Sequence, residues 1–252
     1  MRYRAHEVET VANNLANVST DGFKGDRIAM RSFGDILMSR LESAPEPPLR
    51  MKTIPPGVGW MNLGGPIAES EYVDFSQGVP KTTGNPLDLY LRGPGFFVVD
   101  TPQGERYTRA GSFTLDPQGR IVNQSGYAVQ DSTRQPIFIT SPAPIIIRQN
   151  GEITQDGLPV GRLRIVEFPD MSSIEKEGST LFRTVDPTSA PPFDAINSTI
   201  EQGVIEGSNV NAIDSLVQLI SAQRAYEAAA RAVDMFNQSL NRVSNELGRL
   251  PG

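Results

Sequence analysis

A single histidine, the absence of cysteine and 29 acidic side chains bound the chemistry open to this chain. His6-Glu7 begins like the helical zinc motif HExxH, but Thr10 stands where the second histidine would project from the same face. A Ser-His-Asp triad would have to be assembled around His6 at the extreme N-terminus, so a solvated or interfacial helix histidine is the expectation. Disulfides and thiolate metal sites are excluded by composition. Gly93-Pro94-Gly95 is not a dinucleotide loop: Val98 occupies the third glycine position and the run leads into strand-like Phe96-Phe97-Val98-Val99. No GxxxxGK[ST] phosphate loop is present. Paired carboxylates for glycoside cleavage are defined in space, and nothing in the spacing of the acids singles out a pair. Trp60, beside Met61 and Leu63, could stack on a sugar or anchor an arm against a neighbouring surface. Asn13, Asn14 and Asn17 are placed to bond the freed carbonyls of a helix end or to set register between helices. The expectation is no catalytic residue, no cofactor and no metal: not an enzyme.

Composition removes further classes. A net charge of −6 lacks the basic footprint of a nucleic-acid binder. No apolar run approaches the ~20 residues needed to span a bilayer, so no transmembrane segment is expected. The N-terminus has no apolar stretch of the kind a cleavable secretory signal requires. The chain is long enough for one large domain or two small ones.

The elements sort by periodicity. Ala5, Val8, Ala12 and Leu15 recur at helical spacing within residues 1–18, and Gly22 supplies a stop. A weaker amphipathic helical stretch is read from Ile28 to Leu41. Pro45, Pro47, Pro48, Pro55, Pro56 and Pro66 then make residues 44–66 an extended linker or irregular arm. From Leu87 to Ile205 short strands alternate with turns: Leu87–Leu91 reads with period two, and Asp116-Pro117-Gln118-Gly119 is a turn tetrad. Strands without intervening helices predict an antiparallel sheet rather than βαβ units. The expected fold class is mixed, mainly β with terminal α. Residues 1–42 and 206–252 would form a helical, coiled-coil-like assembly domain, 43–72 a Pro/Gly-rich arm, and 73–205 a β-rich outer domain.

The C-terminal helix carries the clearest signal. Leu219, Ala222, Tyr226, Ala229, Val233, Phe236, Leu240, Val243, Leu247 and Leu250 alternate three and four apart, the seam of a coiled coil. Pro and Gly are absent from Ala212 to Leu247, giving a rod of roughly 54 Å. Asn211 can cap it, with Asp214 in its first turn. The N-terminal helix, offering Val8, Leu15 and Val18, spans only about 27 Å. Each large seam residue is worth ~1.5–3 kcal/mol when buried, so the missing cover must come from other chains. Uncovered, the seam cannot offset the entropy of ordering it, and largely disordered termini are expected in a free monomer.

Three blocks carry a family resemblance. VANNLANVSTDGFK from Val11 resembles the N-terminal signature of the bacterial flagellar rod and hook proteins, and EGSNVNAIDSLVQLISAQRAYEAAARAV from Glu206 resembles their C-terminal one. TGNPLDLYLRGPGFFVV, followed by YTRAGSFTLDPQGRIVNQSGYAVQ, is similar to the β core these proteins share. The length and the middle block resemble rod subunits, either of the distal type, toward which the QRAYE run points, or of its proximal relative. The resemblance implies a structural subunit exported through the flagellar type III apparatus. It would polymerise head to tail with itself, alongside neighbouring rod and hook proteins, into the torque-transmitting shaft of the basal body. Family members carry more residues ahead of the position of His6, so either a misassigned start or a shorter N-terminal helix is expected, and the export signal of that region is put in question. The competing readings are a secreted β-rich hydrolase and a carbohydrate-binding or adhesin module using Trp60 or the loops.

Overall fold

The computed structural model describes residues 2–31, 68–185 and 191–247. Two helices flank a chain of short strands. The first helix, α1, is Arg2–Ala16; the second, α2, is Ala212–Leu247, with the ends expected from the absence of Pro and Gly. Asn211 caps α2, its Oδ1 accepting from the N–H of Ile213 at 2.9 Å and of Asp214 at 3.4 Å. At the end of α1, Asn17 donates through Nδ2 to the carbonyl of Asn13 at 3.0 Å, a second bond to an oxygen that already accepts from the Asn17 backbone N–H at 3.1 Å. Gly22 then turns the chain with φ +68°.

The chain divides into two compact units. One holds Met1–Thr10, Asp26–Tyr72 and Ala222–Gly252; the other holds Val11–Gly25 and Val73–Ser221. Within the first, β1 (Asp26–Arg31) pairs with β2 (Ala68–Val73). The helical reading from Ile28 is thereby corrected over Ile28–Arg31, where strand pairing overrides a weak periodicity; the rest of that stretch lies outside the described residues. So do Trp60 and residues 43–67 of the arm; its last residues, 68–72, are corrected to strand β2.

The second unit is antiparallel throughout its described pairings. Its strands in chain order begin with β3 (Pro80–Thr82), β4 (Leu89–Arg92), β5 (Phe96–Thr101), β6 (Gly104–Thr108), β7 (Thr114–Leu115), β8 (Ile121–Val122) and β9 (Ala128–Val129). Next come β10 (Ile145–Ile147), β11 (Glu152–Gln155), β12 (Leu158–Arg162), β13 (Ile165–Glu167), β14 (Ile174–Glu177) and β15 (Leu181–Thr184). The last are β16 (Phe193–Asp194), β17 (Thr199–Gln202) and β18 (Val204–Glu206). The main sheet runs β14-β15-β6-β5-β9-β8-β7, with β13 pairing both β5 and β16. β10-β11-β12, β17-β4 and β18-β3 form smaller sheets.

Strand β5 organises the core because both of its faces are covered. Phe97 and Val99 join Leu89, Leu91, Phe113, Ile121, Ile153 and Ile200 in one cluster; Phe96 and Val98 join Tyr107, Phe168, Ile174 and Phe182 in another. Rings meet edge-on, Phe97 with Phe113 at 5.2 Å and Tyr107 with Phe168 at 4.9 Å, the arrangement their quadrupoles favour. The strand read at Leu87–Leu91 forms as β4, in which Leu89, Tyr90 and Leu91 are all buried because both faces are covered. The Asp116 turn forms as expected, with Asp116 Oδ1 accepting from the N–H groups of Gln118 (2.9 Å) and Arg120 (2.8 Å).

Candidate assembly site

The seam of α2 emerges progressively along the helix. Leu219 is half-buried and Ala222 is 4% exposed, whereas Val233 is 42%, Leu240 66% and Phe236 73% exposed. Tyr226 is exposed as well, and Ala229 is half-buried. Val243 and Leu247 lie in the helix, but their side chains are outside the described residues. On the N-terminal side, Val8, Leu15 and Val18 are half-buried, Val18 beyond the end of α1. Val8 shares a compact unit with the helix from Ala222 onward, while Leu15, Val18 and Leu219 belong to the β-rich unit.

Two features escaped the sequence. The first turns of α2 carry a second exposed apolar face, Ile213, Leu216, Val217 and Ile220, pointing away from buried Ser215 and Ala222. Helical spacing could have revealed it; the longer seam drew attention instead. The other is a buried charge cluster where the segment leaving α1 meets the segment entering α2. Lys24 and Glu206 are both fully buried, and Lys24 Nζ donates to Glu206 Oε1 at 2.6 Å and to the carbonyl of Ser76 at 2.7 Å. Gly78 N–H donates to the same Glu206 oxygen at 2.8 Å. Arg109 Nη1 lies 3.7 Å from Glu206 Oε2, and its Nη2 donates to the carbonyl of Gly93 at 2.6 Å. Burial pushes the Lys24 ammonium below the ordinary lysine value against the attraction of Glu206, and burial likewise lowers Arg109. Gly25 N–H donates to Asn209 Oδ1 at 2.8 Å, and Asn209 Nδ2 donates to the carbonyl of Asp74 at 2.7 Å.

His6 is half-buried on α1, with Nδ1 3.8 Å from Glu9 and Nε2 3.6 Å from Glu71. It lies on the helix between two carboxylates. Among the described residues no helix is long and apolar enough to cross a membrane.

These features match known families in chain order. Residues 2–24 match the family described as "Flagella basal body rod protein", 90–157 the "Flagellar hook protein FlgE/F/G D1 domain", and 201–246 the "Flagellar basal body rod FlgEFG protein C-terminal". The flagellar basal-body rod protein FlgF of Caulobacter vibrioides is 34% identical over 97% of this chain and 93% of its own length. The chain belongs to the flagellar basal-body rod protein family. FlgG of the same organism is 35% identical over 94% of this chain and 92% of its own, and the hook-basal body complex protein FlhO of Bacillus subtilis is 27% identical over 96% and 93%. This rod protein is a structural subunit of the bacterial flagellum, located in the basal body. Membership sets aside the adhesin and carbohydrate-binding reading, which rested on a fold class and one tryptophan. Both signature ends of the rod protein contribute to the buried cluster: Lys24 comes from the N-terminal match and Glu206 from the C-terminal one.

Proposed function

We propose that the subunit polymerises head to tail into a helical shaft through its terminal helices, each copy covering the α2 seam of its neighbours. The observation that carries this is the exposure of Phe236, at 73%, on the same stripe whose first members, Leu219 and Ala222, are half-buried and buried. A contact that repeats between different patches without closing gives a filament, the geometry a drive shaft needs. In this reading 1–42 and 206–252 pair as a coiled-coil-like assembly portion, 43–67 is an arm, and 73–205 faces outward. The seam comprises Leu219, Ala222, Tyr226, Ala229, Val233, Phe236, Leu240, Val243 and Leu247, met by Val8, Leu15 and Val18. Ala225, Ala228, Ala229, Ala230 and Ala232 let neighbouring backbones approach closely. The role is mechanical and needs no catalytic centre.

Nearly equal identity to FlgF and FlgG supports a place in either the proximal or the distal part of the rod, joined to other rod and hook proteins. Delivery is through the flagellar type III export apparatus, with the chain unfolded. Phe236→Asp tests the seam. It puts an unpaired charge where a neighbour must desolvate it, so self-association in sedimentation and electron microscopy should be lost while the melting of the β-rich unit is unchanged. Normal assembly of this variant would overturn the seam assignment.

A further inference from the structure

The segment leaving α1 and the segment entering α2 are tied together at the same place on the β-rich unit. Gly22 N–H donates to the backbone carbonyl of Glu206 at 2.7 Å. Lys24 and Glu206 pair in the interior, and Asn209 holds Gly25 on one side and Asp74 on the other. The backbone of Lys24 is gripped from outside: Lys176 Nζ donates to its carbonyl at 2.7 Å while lying 3.8 Å from the Phe23 ring centroid. Phe23 itself is fully buried. Among the described residues, Arg109 Nε and Glu206 Oε2 have no hydrogen-bond partner.

Stability alone does not call for this composition. A buried ion pair is no more stabilising than apolar residues of similar volume, and often less so, because desolvating both charges offsets their attraction. What such a pair supplies is a demand for one geometry, since a displacement of an ångström leaves a charge unmatched. We infer that Lys24, Glu206 and Asn209 are positioning residues for assembly: they fix the directions in which α1 leaves and α2 enters the β-rich unit. The roots of both helices, residues 11–16 and 212–221, are then held in one arrangement in every subunit. In a helical polymer an angular error at the root recurs at every added subunit, so the joint sets the register of the whole shaft. The ion pair spans 182 positions in sequence. Neither chain end can be set without the other.

This inference rests on the terminal helices being the assembly elements, and its test is separable from that reading. Because the chain has no cysteine, Asn13→Cys and Gln218→Cys introduce two unique exposed spin-label sites, one on each helix within the β-rich unit. The inter-label distance distribution should be narrow in the otherwise unaltered protein. Asn209→Ala should broaden it and raise the concentration for half-assembly at least about tenfold, with the β-rich unit still folded by circular dichroism. A second variant, Lys24→Met with Glu206→Met, replaces the charges by apolar groups of similar length. It leaves buried Arg109 and the Gly78 N–H without Glu206, so the melting temperature should fall, while the distribution broadens in the same way. If the double variant fails to fold, the Asn209→Ala distribution decides alone. A distribution as narrow as the parent's in Asn209→Ala, or unaltered assembly in a folded double variant, would overturn the inference. Normal assembly of Phe236→Asp would instead strike at the seam.

Discussion

Gly22→Ala isolates the cost of the turn that carries the chain from α1 into the buried cluster. Gly22 has φ +68°, a left-handed conformation that costs an L-residue roughly 1–2 kcal/mol. An added Cβ would also lie 2.5 Å from Ala110 Cα, and closer still to the Ala110 nitrogen. Carbon atoms rest at about 3.5–4.0 Å, so backbone must retreat by about an ångström. That retreat is resisted, because buried Arg109 is hydrogen-bonded to Gly93 and the Gly111 carbonyl accepts from Leu89 N–H at 2.9 Å. Overpacking of this kind costs about 1–3 kcal/mol, for a total of about 2–5 kcal/mol. Gly84 is the control: its φ is +75°, but nothing lies within 4 Å of its ideal Cβ. Gly84→Ala should therefore lose only the conformational part, about 1–2 kcal/mol. Thermal melting followed by circular dichroism should show Gly22→Ala falling further than Gly84→Ala by about 2–12 °C. Equal losses in the two variants would refute the close approach of Gly22 to Ala110.

Other perturbations probe the remaining parts. Phe97→Ala removes a fully buried ring packed edge-on against Phe113 and should cost about 3–5 kcal/mol in urea unfolding. Asn211→Ala removes the cap of α2 and should cost about 1 kcal/mol, seen as lost helicity with the β signal retained. Burial raises Asp116 and Asp131, but the N–H groups of Arg120 and Gln118 with the Arg120 guanidinium, and the N–H groups of Gln135 and Thr133 with the Thr133 hydroxyl, outweigh it and hold both below the ordinary carboxylate value; the Ser172 hydroxyl and N–H lower Asp170. Their stabilising contribution is complete above the unfolded pKa of about 3.9 and is lost as pH falls through the depressed folded values. The urea midpoint should therefore drop below about pH 4, and Asp131→Asn should flatten that dependence.

The long helix was legible because its information is local. The absence of Pro and Gly from Ala212 to Leu247, and an Asn before it, gave both ends. The Asp116–Gly119 turn was legible for the same reason. Ile28–Arg31 was misread because a short apolar spacing fits a helix or a strand, and pairing with β2 decides the outcome. Leu89–Leu91 was legible as a strand, but its alternation carried no sign that both faces are covered. The pairing of Lys24 with Glu206 had no local signature at all. Its one trace was that each residue sat inside a block resembling the rod and hook proteins, which says that both matter but not that they touch. The second apolar face at Ile213, Leu216, Val217 and Ile220 was present in the spacing, hidden beside a longer and more regular stripe.

Amide hydrogen exchange from Ser221 to Ser244, compared between dilute monomer and assembled polymer, tests the uncovered seam most directly. A helix whose apolar face awaits neighbours should exchange quickly in the monomer, while amides of β5 and β6 stay protected, and it should slow by orders of magnitude once neighbours pack against Phe236 and Leu240. Protection across that stretch in the monomer as strong as in β5, unchanged on assembly, would mean that the chain covers its own seam and that the shaft is held together elsewhere.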